Sequence, residues 1–188
     1  MAEAAPDSLG AVGEEGMTPA HFAAFKGHVE CLRVIAEAAP APLSAVAKGN
    51  ATPALLAATT GHAKCLRVIA EAAPASLSVA SESGFTPAAM AANLGHVDCL
   101  HVIAEVAPAS LAVPNENGGT PACFAATSGH VDCLRFLAKV APTSLGAVGE
   151  KTLTAAYVAA LADRIDCLRF IAEVAPETLT DWDREHLA

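Results

Sequence analysis

Thr18, Thr52, Thr86, Thr120 and Thr154 stand 34 residues apart, and so do Cys31, Cys65, Cys99, Cys133 and Cys167. A fixed period of about 20 to 50 residues marks an array in which each copy buries its apolar face only against its neighbours. The fullest copy runs from Thr86-Pro87 through Gly95-His96 to Cys99-Leu100. The period therefore predicts one repeat domain over residues 1–188, with a seam for a core.

Each copy reads as two helices. The Thr-Pro step opens the first: Thr18 offers a side-chain oxygen to orphan amides, and Pro19 gives up a donor that has no partner at a helix start. Gly27, Gly61, Gly95 and Gly129 end it, and the following His and Val open the second helix, with Glu30, Asp98, Asp132 and Asp166 in its first turn. Leu32, Ile35, Ala36 and Ala39 recur at three- and four-residue spacing and form its buried stripe. Glu30, Arg33 and Glu37 mark its solvated side. Pro40, Pro74, Pro108, Pro142 and Pro176 close the second helices. A leucine follows each, Leu43, Leu77, Leu111, Leu145 and Leu179, as a plug on the seam. The variable polar stretches before each Thr read as exposed turns.

Hydrophobic residues make up 53% of the chain and charged residues 16%, which supports a packed core and opposes disorder. The net charge of −9, from 20 acidic and 11 basic residues, opposes a surface for nucleic acid or anionic lipid. Met1–Asp7 carries no basic and apolar leader pattern, and no long apolar run lacks proline or charge. A cytoplasmic or otherwise intracellular, reducing location is expected, without membrane contact.

Thr18-Pro19-Ala20-His21-Phe22-Ala23-Ala24 with Gly27-His28-Val29-Glu30 resembles the ankyrin repeat, five times in register. The resemblance implies an all-α solenoid, a stack of antiparallel helix pairs with hairpin-like loops projecting to one side and a concave binding face. The repeats run over about 13–46, 47–80, 81–114, 115–148 and 149–182, after a partial unit 1–12. Residues 180–188, with Trp182, would cap the end. The chain departs from the family in its 34-residue period and its Ala-Ala-Pro endings. The extra residue is expected to form an added turn carrying the plug leucine. That leucine would refill volume left by Ala36, Ala70, Ala104, Ala138 and Ala172. The fifth repeat has Thr154-Ala155 for Thr-Pro and Asp163-Arg164 for Gly-His, as a terminal repeat would.

The periodic cysteines suggest a metal or redox ladder, but helices packed about 8 to 10 Å apart exceed the reach of a disulfide or of shared zinc ligation. Their expected place is the core, without metal or cofactor. His28, His62, His96 and His130 are expected to hold their own turns. His21 resembles the family's structural partner of Thr18, and Cys123 replaces it in the fourth repeat with no base beside it. A catalytic role is not expected.

Constant positions carry packing, which leaves specificity to the variable ones. Met17, Phe25, Lys26, Thr59, Phe85, Asn93, Leu94, Thr127, Leu153 and Leu161 form two variable columns, before each Thr and at each first-helix end. The resemblance implies that both lie on the concave face. Glu14, Glu15, Lys48, Glu82, Glu116, Glu150 and Lys151 mark the loop tips. Together they suggest a non-catalytic scaffold, active as a monomer, for a protein partner that is basic or offers an apolar anchor. The alternative is a structural spacer or self-assembling segment of a longer array.

Overall fold

The computed structural model describes residues 6–146 and 154–178. Glu150, Lys151, Leu153 and the 180–188 cap lie outside the described residues. After a single turn, α1 (Pro6–Leu9), come α2 (Pro19–Lys26), α3 (Val29–Ala38), α4 (Pro53–Thr59), α5 (Ala63–Ala72), α6 (Pro87–Asn93), α7 (Val97–Val106), α8 (Pro121–Ser128), α9 (Val131–Val140), α10 (Ala155–Leu161) and α11 (Ile165–Val174). No β-strand occurs among the described residues, and a lone antiparallel bridge joins Ala47 to Ala51.

The chain divides into two compact units, Met1–Pro87 and Ala88–Ala188. In the first, α2 packs on α3 and α4 on α5, while α2 lies against α4 and α3 against α5. In the second, α8 pairs with α9 and α10 with α11, and neighbouring repeats join through α8 to α10, α7 to α9 and α9 to α11. Each unit is thus a stack of helix pairs, as the period predicts.

The two helix types differ in what surrounds them. First helices are packed on most sides, and their interior is alanine: Ala54, Ala57, Ala58, Ala88, Ala91, Ala92, Ala122, Ala125 and Ala126 are all fully buried. A short side chain lets neighbouring helices approach closely without overpacking. Second helices bury one stripe, including Leu66 and Ile69 in α5 and Leu134 and Leu137 in α9, and turn the other side to solvent.

Local chemistry sets the boundaries. Thr52, Thr120 and Thr154 accept from the amides of Leu55, Cys123 and Tyr157, so each threonine caps its helix. Thr154 does so without a following proline. The second helices end two residues before each proline, which opens a short 3-10 turn, as at Pro74–Ser78 and Pro108–Ala112. This is the added turn expected from the extra residue. It drives Leu43, Leu77 and Leu111 to complete burial. A second device was not anticipated: the hydroxyls of Ser76 and Ser110 donate to Ala73 O and Ala107 O, each at 2.7 Å. They add a second bond to carbonyls that also accept the amide of the same serine, just past the end of the helix.

The alanine position requires a correction. Ala36 is half-buried and lines an open groove of about 420 Å³ with Arg33, Lys64, Val68 and Ala72. The volume beside Ala36 remains open to solvent and the plug leucine does not refill it there, whereas Ala70 is buried.

Candidate functional site

The hairpin turns begin with one shared bond. The amides of Gly13, Ala47, Ser81 and Asn115 donate to the carbonyls of Met17, Ala51, Phe85 and Gly119, at 2.8 to 2.9 Å. Where the first residue has a polar side chain, it tightens the loop further. Ser81 Oγ accepts from Phe85 N, and Asn115 Oδ1 accepts from the amides of Asn117 and Gly119. Glu14, Glu15, Lys48, Glu82 and Glu116 are exposed on these turns. Lys48 Nζ donates to Glu15 Oε1 at 2.8 Å and joins the first two tips. Both groups are well exposed, so the pair orients the tips more than it stabilises the fold.

The variable columns divide by burial. Phe25, Leu94 and Leu161 are exposed by 44%, 39% and 68%, although they sit at or just past the ends of helices whose other faces are packed. Lys26 Nζ lies 5.3 Å from the centre of the Phe25 ring. Met17 and Phe85 are half-buried, beside the turn-closing carbonyls. Thr59 and Asn93 are also half-buried, and Thr127 is exposed. Thr59 Oγ1 donates to Leu55 O, and Thr127 Oγ1 donates to Cys123 O. Asn93 Oδ1 accepts from Ser128 Oγ at 2.9 Å, which links α6 to α8. The open part of the columns is therefore Phe25, Lys26, Leu94, Thr127 and Leu161, all at first-helix ends.

His21 is a joint between repeats. Thr18 donates to its Nδ1 from both the amide, at 3.1 Å, and the hydroxyl, at 2.8 Å. A ring nitrogen that accepts from an amide carries no proton, so Nε2 holds it and donates to Ala51 O at 3.1 Å. Burial pushes the His21 pKa below its usual 6.5, against the opposing pull of the Ala51 and Ala45 carbonyls.

Cys123, the counterpart of His21 in the fourth repeat, accepts a hydrogen bond from Thr120 Oγ1 at 3.3 Å. Burial raises its pKa, which keeps it a thiol. Cys133 and Cys167 are pushed up to about 12 and about 11, chiefly by burial. These cysteines pack as small apolar side chains.

Two expectations change. Cys31 is exposed while the other five cysteines are buried, because no earlier helix pair among the described residues packs on α2 and α3. The turn histidines reach beyond their own turns. A Cβ on Gly27 would stand 2.8 Å from His62 Cε1, and one on Gly95 would stand 2.8 Å from His130 Nδ1. Each ring fills the space that the preceding repeat's glycine leaves empty.

Residues 90–180 match the family described as "Ankyrin repeats (3 copies)", and residues 15–47 match "Ankyrin repeat". The chain belongs to the ankyrin-repeat family. Ankyrin repeats are in general protein-interaction modules. The structure resembles the crystal structure of the human ASB11 ankyrin repeat domain with a TM-score of 0.72. The two are 22% identical, over 84% of this chain and 69% of that one, a likeness of fold. No curated protein matches the sequence. Neither family match includes residues 48–89, yet α4 and α5 form an ankyrin helix pair like the others. Among the described residues, no helix is long and apolar enough to cross a membrane.

One surface was missed in the sequence. Leu9, Phe22, Cys31, Val34 and Ile35 line an open, mainly apolar cavity of about 610 Å³ at the first ankyrin repeat. Phe22 is 55% and Val34 is 56% exposed.

Proposed function

We propose that this ankyrin array is a non-catalytic scaffold that binds a partner protein across its concave face. The observation that carries the reading is the exposure of Phe25, Leu94 and Leu161 at the ends of otherwise packed helices. Large apolar side chains with no packing duty supply anchor energy at protein interfaces. Glu14, Glu15, Glu82 and Glu116 are exposed on the hairpin turns and add negative charge there. With the net charge of −9, this favours a basic partner and speeds its approach. Six free cysteines, five of them buried, suit a reducing intracellular compartment.

The test uses a partner recovered with the wild-type chain. Phe25→Asp combined with Leu94→Asp should leave the circular dichroism spectrum intact and weaken binding by at least about tenfold, the usual scale for losing a hot spot. Unchanged affinity in the folded double variant refutes this assignment.

A further inference from the structure

We infer that a second copy of this chain docks, about a two-fold axis, in the groove between α3 and α5. The groove lies on the side of α3 that faces α5, so two successive repeats of the first unit form its walls. Its floor is made of short side chains: Ala36 and Val68 are half-buried and Ala72 is exposed, and about 420 Å³ stays open beside them. Lys64, in the first turn of α5, lines one end, and Glu37 and Glu71, in the last turns of α3 and α5, line the other. All three are exposed, and none forms an ion pair among the described residues.

Lys64 is also out of place in its own helix. A cation in the first turn opposes the helix dipole, and the other second helices carry Glu30, Asp98, Asp132 and Asp166 there. A local rule broken at an exposed position, with no ion-pair partner among the described residues, points to a charge set for another molecule. The spacing says what that molecule is. Lys64, Val68 and Glu71 fall at steps of four and three on one face of α5, so cation and carboxylate stand about 10.5 Å apart with an apolar side chain between them. Turning such a row end for end about Val68 sets each cation against a carboxylate, the self-complementarity that an isologous interface requires. The α5 ridge of each copy then enters the groove of the other, antiparallel, and Lys64 of each copy meets Glu37 and Glu71 of the other. Ala36 and Ala72 leave room for that ridge. The patch is small, so the dimer is weak and reversible. The net charge of −9 on each copy is largely screened beyond roughly 8 Å at physiological salt, which leaves the contacting pairs to decide the outcome.

The test is sedimentation velocity of the full chain at physiological salt, with protein raised to ~1 mM, the scale on which a small interface associates. The wild type should move from one chain toward two and no further. Lys64→Glu makes both ends of the groove acidic, and Glu37→Lys with Glu71→Lys makes both ends basic. Each of these variants should associate at least about tenfold more weakly than the wild type. Misfolding does not account for such a loss, since both substitutions in α5 place charges that the helix dipole favours, and circular dichroism checks it. Mixing the two variants should restore a one-to-one dimer, and so should all three substitutions in one chain. A wild type that keeps the mass of one chain at every concentration overturns the inference, and so does growth beyond two chains. Variants that associate as the wild type does, or that stay apart when mixed, overturn it as well.

Discussion

The imidazole of His62 occupies the space in which Gly27 would carry a side chain, with Cε1 2.8 Å from that Cβ position. Gly27 also holds φ at +75°, so two independent reasons forbid a larger residue there. Gly49 separates them: its φ is +77°, and nothing lies within 4 Å of its Cβ position.

Gly49→Ala should therefore cost only the left-handed backbone penalty, about 1–2 kcal/mol. Gly27→Ala should cost measurably more, because the ring must move as well. Urea denaturation of the two variants checks the order. Adding His62→Ala to Gly27→Ala should recover the difference, whereas equal losses at the two glycines would show that the ring contact carries no energy.

His21 predicts a loss of stability in mild acid. Its native pKa lies below 6.5, so above that pH both folded and unfolded states hold a neutral ring. As the pH falls below about 6.5, the unfolded chain takes up a proton that the native ring resists, and the balance shifts toward unfolding. The contribution is complete above the unfolded value and is lost on approach to the native one. His21→Leu, which copies Leu55 of the second repeat, should flatten this part of the dependence between about pH 7 and 5. Identical slopes for variant and wild type would remove His21 as the cause.

Ser76 and Ser144 occupy the same position in their repeats but are bonded differently. The Ser76 hydroxyl donates to Ala73 O at 2.7 Å, whereas Ser144 Oγ is buried with no hydrogen-bond partner among the described residues. Ser76→Ala should cost about 1 kcal/mol, and Ser144→Ala should be neutral or stabilising. Thermal unfolding of both variants gives the comparison, and an equal loss at the two sites would contradict it.

Much of the fold was legible because its determinants are local. Thr120 caps α8 through an amide three residues on, and the proline of each repeat acts within one or two positions. Periodicity extended these rules along the chain. What could not be read in this way depends on the neighbour across a joint. Cys31 has the sequence context of Cys65 but not its covering helix pair, and so it is exposed. His62 was placed at its own turn because the sequence puts it there, while its ring extends to Gly27. The variable columns were found by comparing copies, which identifies where the chain differs without telling whether a side chain is open. Phe25, at the end of α2, is exposed and Phe85, on a hairpin turn, is half-buried.

The alanine interior of the first helices makes tolerance to substitution lopsided. Shaving Ala54, Ala57 or Ala58 to glycine removes one methyl group and some helix preference, a loss confined to its own turn. Enlarging any of them pushes the adjoining helix outward, and each later repeat must follow. Drift in such a lineage is therefore channelled to the ends of these short helices, where added bulk meets only solvent or another molecule.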